Sequence, residues 1–390
     1  MTRPFHGLRV IDFTHVLAGP ACAFYLGLLG AEVIKVESPG RGDAMRHRGG
    51  TDPDRAAAGM STAYLTQAAG KHSVALDLDD KDDRQAFDDL LATADILVEN
   101  HRPSTLKRLG LTWDFLHAQN PRLIHCAMTG YGRGGPREDA PAYDVNIQAA
   151  SGLMTLTGTA ETGPMRTGAP IIDYSVALAA AFAISTALYE RERTGKGQFI
   201  DVSMLDTALL LMSSNITDYR LTGHEPRPRG NAANSRSPSA GTFPCKDGQI
   251  VLGVNEDHQF RALAHVLDRA GWLTDPRFAD PQSRVSHGQD LSEALTEALS
   301  TRSAGDWEEL LLANDVPAAR IRTLPEALAD PHLNARGFLR SVEDLGPATV
   351  PGLPFRYGVR SDHQALPAAE QLGASQSRAK TPTILRKQKA

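Results

Sequence analysis

The segment GAPIIDYSVALAAA sets Asp173 three residues beyond Pro170, where a helical run begins. A carboxylate at a helix N-terminus meets unpaired N–H groups and the positive end of the helix dipole, which together favour its ionised form by about 0.3–1 kcal/mol at exposed sites. Ionised, it can serve as a nucleophile toward an activated carbonyl carbon. A lone Asp in such a place is more often a helix cap than a catalyst, so position alone leaves both roles open. Arg102 and Arg108, in VENHRPSTLKRLGL, carry guanidinium forks that suit phosphate in bidentate geometry. Their plainer role would be a solvated helix face. Lys71 and Lys107 are lesser candidates for the same electrostatic task.

A further feature is IDFTHVLAGPACAFYLGLLGAEVIKVE, Ile11 to Glu37, which places a Gly-Pro break between a strand and a helix rich in small residues. Helix starts after such breaks bind anions through free backbone N–H groups. Neither GxGxxG nor GxxxxGK[ST] occurs in it, so a dinucleotide or Walker-type site is not supported. Close packing of helix on sheet would explain the small residues by itself. His15, His125 and Glu37 each sit beside or within a predicted strand, where a satisfied polar contact is commoner than catalysis, and no role is assigned to them. Asp201 and Asp206 are read as structural. The other histidines lack metal-ligand spacing, and no metal site is expected.

These residues need elements to hold them. Short apolar runs alternate with helical ones: LRVID, a helix across Ala21 to Leu29, AEVIKVE, SVALDL, ADILVEN and RLIHCAM. Such alternation predicts a parallel sheet covered by helices. Lys81 to Ala94 and Trp113 to Gln119 have helical spacing and supply two of the covers. From Asp173 to Glu190 apolar residues lie on nearly all sides, which predicts a helix buried in the interior. QFIDVSM reads as another strand, and an apolar helix follows from Leu205. Thr222 to Pro244, rich in Gly, Pro, Asn, Ser and Arg, reads as a linker or long loop. Beyond it QIVLGV and PAARIRT read as strands, and Glu256 to Ala270 and Gln289 to Leu299 as amphipathic helices. The expected division is a large α/β domain over 1–221, a smaller α/β domain with its linker over 222–329, and a C-terminal segment over 330–390.

Composition limits the function classes. A chain of 390 residues exceeds one small domain, and domain sizes favour about two or three units. The net charge of −5 argues against nucleic acid as a partner, because phosphate binding usually needs a basic surface. No uninterrupted apolar run approaches the ~20 residues of a membrane span, and the N-terminus lacks a signal core, so no membrane is expected and a cytoplasmic location is. Cys22, Cys126 and Cys245 stand far apart, which fits a reducing compartment.

Several long motifs, in order, resemble those of the family III CoA-transferases, the carnitine CoA-transferase and bile-acid-inducible operon family. They are the Ile11–Glu37 run, KHSVALDL at Lys71 to Leu78, VENHRPSTLKRLGL at Val98 to Leu111, and PAYDVNIQAASGLM at Pro141 to Met154. ERTGKGQFIDVSMLD, Glu192 to Asp206, and DPRFADPQSR, Asp275 to Arg284, continue the series, so the resemblance spans nearly the whole chain. It implies a large Rossmann-like domain with a smaller one, two identical subunits threaded through each other, and a C-terminal tail that returns to the large domain. It implies coenzyme A thioesters as substrates and no tightly bound cofactor. Asp173 aligns with the family's nucleophile. The CoA contacts implied are Leu17, Ala18, Leu76, Asp77, Leu78, Asp79, Asn100, His101, Arg102, Arg108, Pro141, Ala142, Tyr143 and Asp144.

The implied reaction transfers CoA between carboxylic acids through an aspartyl-acyl anhydride and an aspartyl-CoA thioester. Two departures bear on substrate choice. The family's formyl-CoA:oxalate enzymes have glutamine where Leu17 stands, which argues for an acceptor other than oxalate. They also have a glycine-rich loop where this chain has NAANSRSPSAG, Asn231 to Gly241, with Gly241 alone. The α-methylacyl-CoA racemases of the family place a histidine at Tyr143, and two-base proton exchange lacks a partner without it. An α-methylacyl-CoA racemase or an intramolecular CoA-transferase of the same fold, and a non-catalytic acyl-CoA-binding subunit, remain the rival expectations.

Overall fold

Six short runs rich in Val, Ile and Leu form strands: β1 Arg9–Phe13, β2 Glu32–Glu37, β3 His72–Ala75, β4 Ile96–Glu99, β5 Ile124–Thr129 and β6 Phe199–Ser203. The computed structural model describes residues 3–228, 230–233, 235, 237–358 and 364–380. All six strands are parallel, as the alternating pattern predicts, in the order β3-β2-β1-β4-β5-β6. In a doubly wound sheet of this order the winding reverses between β1 and β4, which opens a crevice at the carboxyl ends of those strands.

Alternate strand residues serve two cores. Val10, Val33, Ile96 and Val98 pack on one face with the helices Ala18–Leu28 and Ile171–Thr194. Ile11, Ile34 and Leu97 pack on the other, against Phe87, Leu90 and Leu91 of helix Lys81–Thr93 and against Leu106 and Leu116 from two shorter helices. This is the period-2 alternation of strands covered on both sides. Local chemistry sets the helix starts: the Asp80 carboxyl accepts the N–H groups of Asp82 and Asp83 at 2.9 and 3.1 Å, an N-cap that satisfies donors the helix cannot.

One expectation needs correction. Helix Ile171–Thr194 buries Ile172, Val176, Ala180, Ile184 and Ala187, yet Leu178, Phe182 and Tyr189 are 42, 73 and 69% exposed on another face. It is apolar all round but packed on one side only. Its 24 residues are long and apolar enough to cross a membrane by length and composition, although Asp173, Ser175, Ser185 and Thr186 interrupt the apolar run; its packed face contributes to the core beside the sheet.

Edge strand β3 is covered by the chain's own C-terminal stretch. Ser73 N–H donates to Glu370 Oε2 at 2.8 Å, Ser375 N–H donates to the Ser73 carbonyl, and the Gln376 amide brackets Ala75 with two 2.9 Å bonds. A covered edge cannot recruit a foreign strand.

By chain contacts, residues 1–154, 166–226 and 332–390 form one unit, and Thr155–Met165 with Arg227–Pro331 form the other. The second unit has an antiparallel sheet of β7 Ala240–Cys245, β8 Gly248–Gly253 and β9 Ala318–Arg320. Its core centres on Phe243, Ile250, Phe260, Leu295 and Trp307. In the Asn231–Gly241 loop, Asn234 and Arg236 lie outside the described residues.

Beneath the carboxyl ends of β1 and β2 lies a buried ionic cluster. Asp12 and Lys35 face each other in register. Lys71 Nζ reaches Asp12 Oδ2 and the Pro20 carbonyl, both at 2.7 Å, while Lys35 Nζ lies 3.1 Å from Asp43 Oδ2 and 2.9 Å from the Thr14 carbonyl. Glu37 takes Arg46 through both oxygens, at 2.8 and 2.6 Å, and accepts the Asp43 N–H at 2.9 Å. Burial opposes ionisation of Asp12, but the Lys35 and Lys71 charges outweigh it and hold the carboxyl below its ordinary value. Removing one member of such a cluster strands the opposite charge. Lys71→Met is therefore expected to cost about 3 kcal/mol or more of unfolding free energy in urea titrations. Because the Asp12 pKa is depressed on folding, its stabilisation is present above about pH 4 and fades as pH falls further. A Lys71→Met protein of unchanged stability would show that the cluster does not hold the fold.

Candidate active site

The loop leaving β1 is pulled into an unusual path. Val16 has φ 71°, a left-handed conformation rarely tolerated by a β-branched residue. Its neighbours impose it: Val16 N–H donates to Asp43 Oδ1 at 3.2 Å, its carbonyl accepts from Gln67 Nε2 at 3.3 Å, and the Asn100 amide brackets His15 with bonds of 2.9 and 2.8 Å. Strain of this kind persists only where surrounding contacts over-determine it. The loop delivers Leu17 and Ala18 to the start of helix Ala18–Leu28. Gly19 is required there because a Cβ would lie 2.5 Å from the Thr14 side chain.

At this end of the sheet lies a cavity of about 370 Å³ between the loops that follow β1, β4 and β5. Its walls bring together Leu17, Ala18, Asn100, His101, Arg102, Pro141, Ala142, Tyr143 and Asp173, nine of the residues the sequence pointed to. Gly130 lets the end of β5 approach the Pro141–Tyr143 segment, since a Cβ there would stand 2.4 Å from that of Ala142. Tyr143 is 62% exposed, so its ring faces the opening and does not pack in the core.

The other candidates lie elsewhere. Leu76 is buried in the core. Asp77 and Asp79 organise the turn into helix Lys81–Thr93, with Asp77 N–H donating to Asp83 Oδ2 at 2.9 Å and Asp79 N–H to Asp77 Oδ1 at 3.1 Å. Leu78 is only partly buried beside that core. Arg108 Nη1 pairs with Asp79 Oδ1 at 3.1 Å on the surface. Lys71 cannot meet a ligand phosphate, because it is 4% exposed and committed to Asp12, and Lys107 does not line the cavity.

Asp144 sits behind the wall and holds the start of the helix that carries Asp173. Its Oδ2 accepts the N–H groups of Ile172 and Asp173 at 2.7 and 3.1 Å, and its Oδ1 accepts from the buried Gln148 Nε2 at 2.5 Å. The cap expected of Asp173 is thus supplied by Asp144 across 29 residues of chain. This reverses the electrostatic expectation for Asp173. Burial pushes its carboxyl up to about 7, and the adjacent Asp144 charge pushes in the same direction. A carboxylate of raised basicity, freed from capping, is a better nucleophile than an ordinary aspartate.

Sequence reasoning missed His15, Val16, Thr129, Gly130, Glu138 and Met204, which also line the cavity. Position at the carboxyl ends of strands flanking the winding reversal was the available signal for most of them. The His15 and His101 rings lie 5.3 Å apart, and His101 packs on Phe13 at 4.2 Å. Burial first, and the His15 charge second, push His101 down to about 4, so it is neutral at neutral pH.

Asp144→Asn keeps an acceptor for the helix N–H groups and deletes the charge, so Asp173 is expected to titrate below 7, as ¹³C NMR of labelled carboxylates would show. Asp144→Ala removes the cap as well and is expected to cost about 1–2 kcal/mol of stability. An unmoved Asp173 titration in Asp144→Asn would mean that burial alone sets its pKa.

The family model described as CoA-transferase family III matches residues 5–374. An acetyl-CoA:oxalate CoA-transferase of Acetobacter aceti is 36% identical over 95% of this chain and 93% of its own length. The human succinyl-CoA:glutarate CoA-transferase is 33% identical over 94% and 83%. A crystal structure of a CaiB/BaiF family protein from Brucella suis superposes with a TM-score of 0.85 at 31% identity, covering 97% of this chain and 99% of that one. The crevice at the winding reversal, the carboxyl of raised pKa on its wall and these matches agree: the chain is a member of CoA-transferase family III, an enzyme acting on acyl-CoA and carboxylate substrates.

Proposed function

We propose that the chain transfers CoA between small carboxylic acids with Asp173 as the covalent nucleophile. The observation that carries this reading is Asp173 on the cavity wall, with no capping duty and with a pKa raised to about 7. In the first step an Asp173 oxygen attacks the thioester carbonyl, and collapse of the tetrahedral adduct releases CoA thiolate and leaves an aspartyl-acyl anhydride. The thiolate then attacks the Asp173 carbonyl, forming an aspartyl-CoA thioester and freeing the donor acid. An acceptor carboxylate attacks that thioester and the two steps run in reverse, restoring Asp173. One thioester is broken for each one made, so no ATP, metal or redox group is required. The helix that starts at Ala18 opens onto the cavity, and its first N–H groups have no intrahelical acceptor. They are suited to stabilise the oxyanions.

Arg102, exposed on the cavity rim, is the proposed partner of a CoA phosphate, and the Asp79–Arg108 pair with Asp77 and Leu78 would lie along an outer part of the same ligand. Relatives are named for oxalate, D-citramalate and glutarate. The proposed acids are accordingly short dicarboxylates; Leu17 in place of glutamine argues against oxalate. A screen of acyl-CoA donors against mono- and dicarboxylates, read by mass of the CoA products, tests this. Incubation of an α-methylacyl-CoA in deuterium oxide tests the racemase alternative. Deuterium uptake without an acceptor acid would favour it over transfer.

A second copy of the chain is the proposed cover for the exposed face formed by Leu178, Phe182 and Tyr189. Light scattering during size-exclusion chromatography is expected to give a dimer that survives dilution. An active monomer would contradict the threaded arrangement.

Asp173→Ala is expected to lower kcat by about 10⁴-fold or more, by analogy with removal of other nucleophiles. CoA affinity should hold, and stability above pH 7 should not fall, because a buried charge beside Asp144 is removed. In the wild type kcat/KM should rise with pH through about 7, since only the ionised carboxylate attacks. A pH-independent rate between 5.5 and 8 would argue against Asp173 as the attacking group.

A further inference from the structure

Strands β4 and β5 are paired from Ile96 with Ile124 to Glu99 with Ala127. Past the end of β4 the chain runs through Asn100, His101 and Arg102, past the end of β5 it runs through Gly130 to Tyr143, and both loops line the catalytic cavity. Sheet hydrogen bonds no longer join them there. Their spacing depends on side chains.

Two ties cross the gap. On the surface, Ser104 N–H donates to Asp139 Oδ1 at 2.9 Å. In the interior stands Glu99, fully buried at the end of β4. Its Oε2 accepts the His101 N–H at 2.8 Å, and its Oε1 accepts Arg133 Nη2 at 2.8 Å. His125 Nε2 lies 3.3 Å from the same Oε1. Arg133 belongs to the other loop, and its surroundings aim it at Glu99. Its N–H donates to Asp201 Oδ2 at 2.8 Å, and its guanidinium lies over the Phe199 ring at 4.8 Å. Gly132 and Gly134, at φ 74 and 79°, turn the chain on either side of it.

Neither Glu99 nor Arg133 is on the cavity wall, yet Glu99 holds His101, which is, and Arg133 sits in the loop that supplies Pro141 to Tyr143. Ion pairs removed from water are better attested as devices of geometry than of stability. We propose that Glu99 and Arg133 are positioning residues that clasp two walls of the acyl-CoA site and so set its width. The inference rests on acyl-CoA occupying this cavity. A preformed site spares its ligand the cost of ordering the walls, so the clasp acts on binding. Asp173 is on a helix braced separately by Asp144, and the chemical step should be insensitive to the clasp.

The test compares full-length wild type with Arg133→Ala and Glu99→Gln, by calorimetric titration with CoA and by steady-state kinetics. Glu99→Gln keeps an acceptor for the His101 N–H and removes only the charge. Both variants should raise the CoA Kd and the acyl-CoA KM by about tenfold or more, the scale expected of displaced binding groups, with kcat at saturation within about threefold. Methylguanidinium should restore the KM of Arg133→Ala by refilling the place between Phe199 and Glu99. It should not restore Glu99→Gln, which lacks the anion. Merely structural damage would lower kcat and the unfolding midpoint together and would not respond to methylguanidinium. That result, or an unchanged KM in both variants, would overturn the proposal. Arg102→Glu separates this inference from the reading beneath it. If CoA affinity falls in Arg102→Glu and KM is unchanged in both clasp variants, the clasp alone fails; if CoA affinity ignores Arg102→Glu, the placement of CoA in this cavity fails and the clasp with it.

Discussion

The buried cluster of Asp12, Lys35, Asp43 and Lys71 governs the shape of the catalytic end of the sheet. Asp43 does two tasks at once, receiving Lys35 through Oδ2 and the Val16 N–H through Oδ1. The left-handed turn at Val16 is thus tied to charges that cannot leave without stranding a partner in the interior. The same ties place Leu17 and Ala18 on the cavity wall, at the head of the helix Ala18–Leu28. Ions in this protein serve geometry first, and only through geometry the chemistry.

The start of the helix that carries Asp173 follows the same principle. Asp144 takes up the donors at the start of the Ile171–Thr194 helix, which leaves Asp173 on the cavity side without that stabilisation. Two carboxyl groups close together at one helix end divide the work: one is held by hydrogen bonds, and the other is raised toward neutrality by burial and by its neighbour. Gln148 links this pair outward, its Nε2 to Asp144 and its Oε1 to the Thr167 N–H, so the helix start is braced from both sides.

The six strands were legible because each is a short aliphatic run with turn residues at its ends, and because both faces of the sheet are covered. Its place after Pro170 left Asp173 open between helix cap and nucleophile, and only the resemblance of the longer motifs pointed to the second role; the Gly-Pro break at Gly19 and Pro20 marked the start of the helix that brings Ala18 to the same cavity. What could not be read was the partner of each charge. Lys71 looked like a phosphate ligand because its pairing with Asp12 joins residues 59 apart, and no local pattern records that. The exposed face of the Ile171–Thr194 helix was hidden for the opposite reason: a uniformly apolar helix carries no periodicity to show which side is packed. The bonds of Asp144 run across 28 and 29 residues to the helix start, and its own motif, PAYDVNIQAASGLM, carries no sign of them.

The covalent role of Asp173 is the claim on which the chemical reading turns, and it is accessible to one measurement. Wild-type protein is incubated with an acyl-CoA donor and no acceptor acid, quenched in acid, digested and analysed by mass spectrometry. The result expected is a peptide containing Asp173 that carries CoA in thioester linkage, lost on treatment with hydroxylamine and absent from Asp173→Ala. An unmodified Asp173 peptide in protein that turns over at its normal rate, or CoA attached to a different residue, would contradict it.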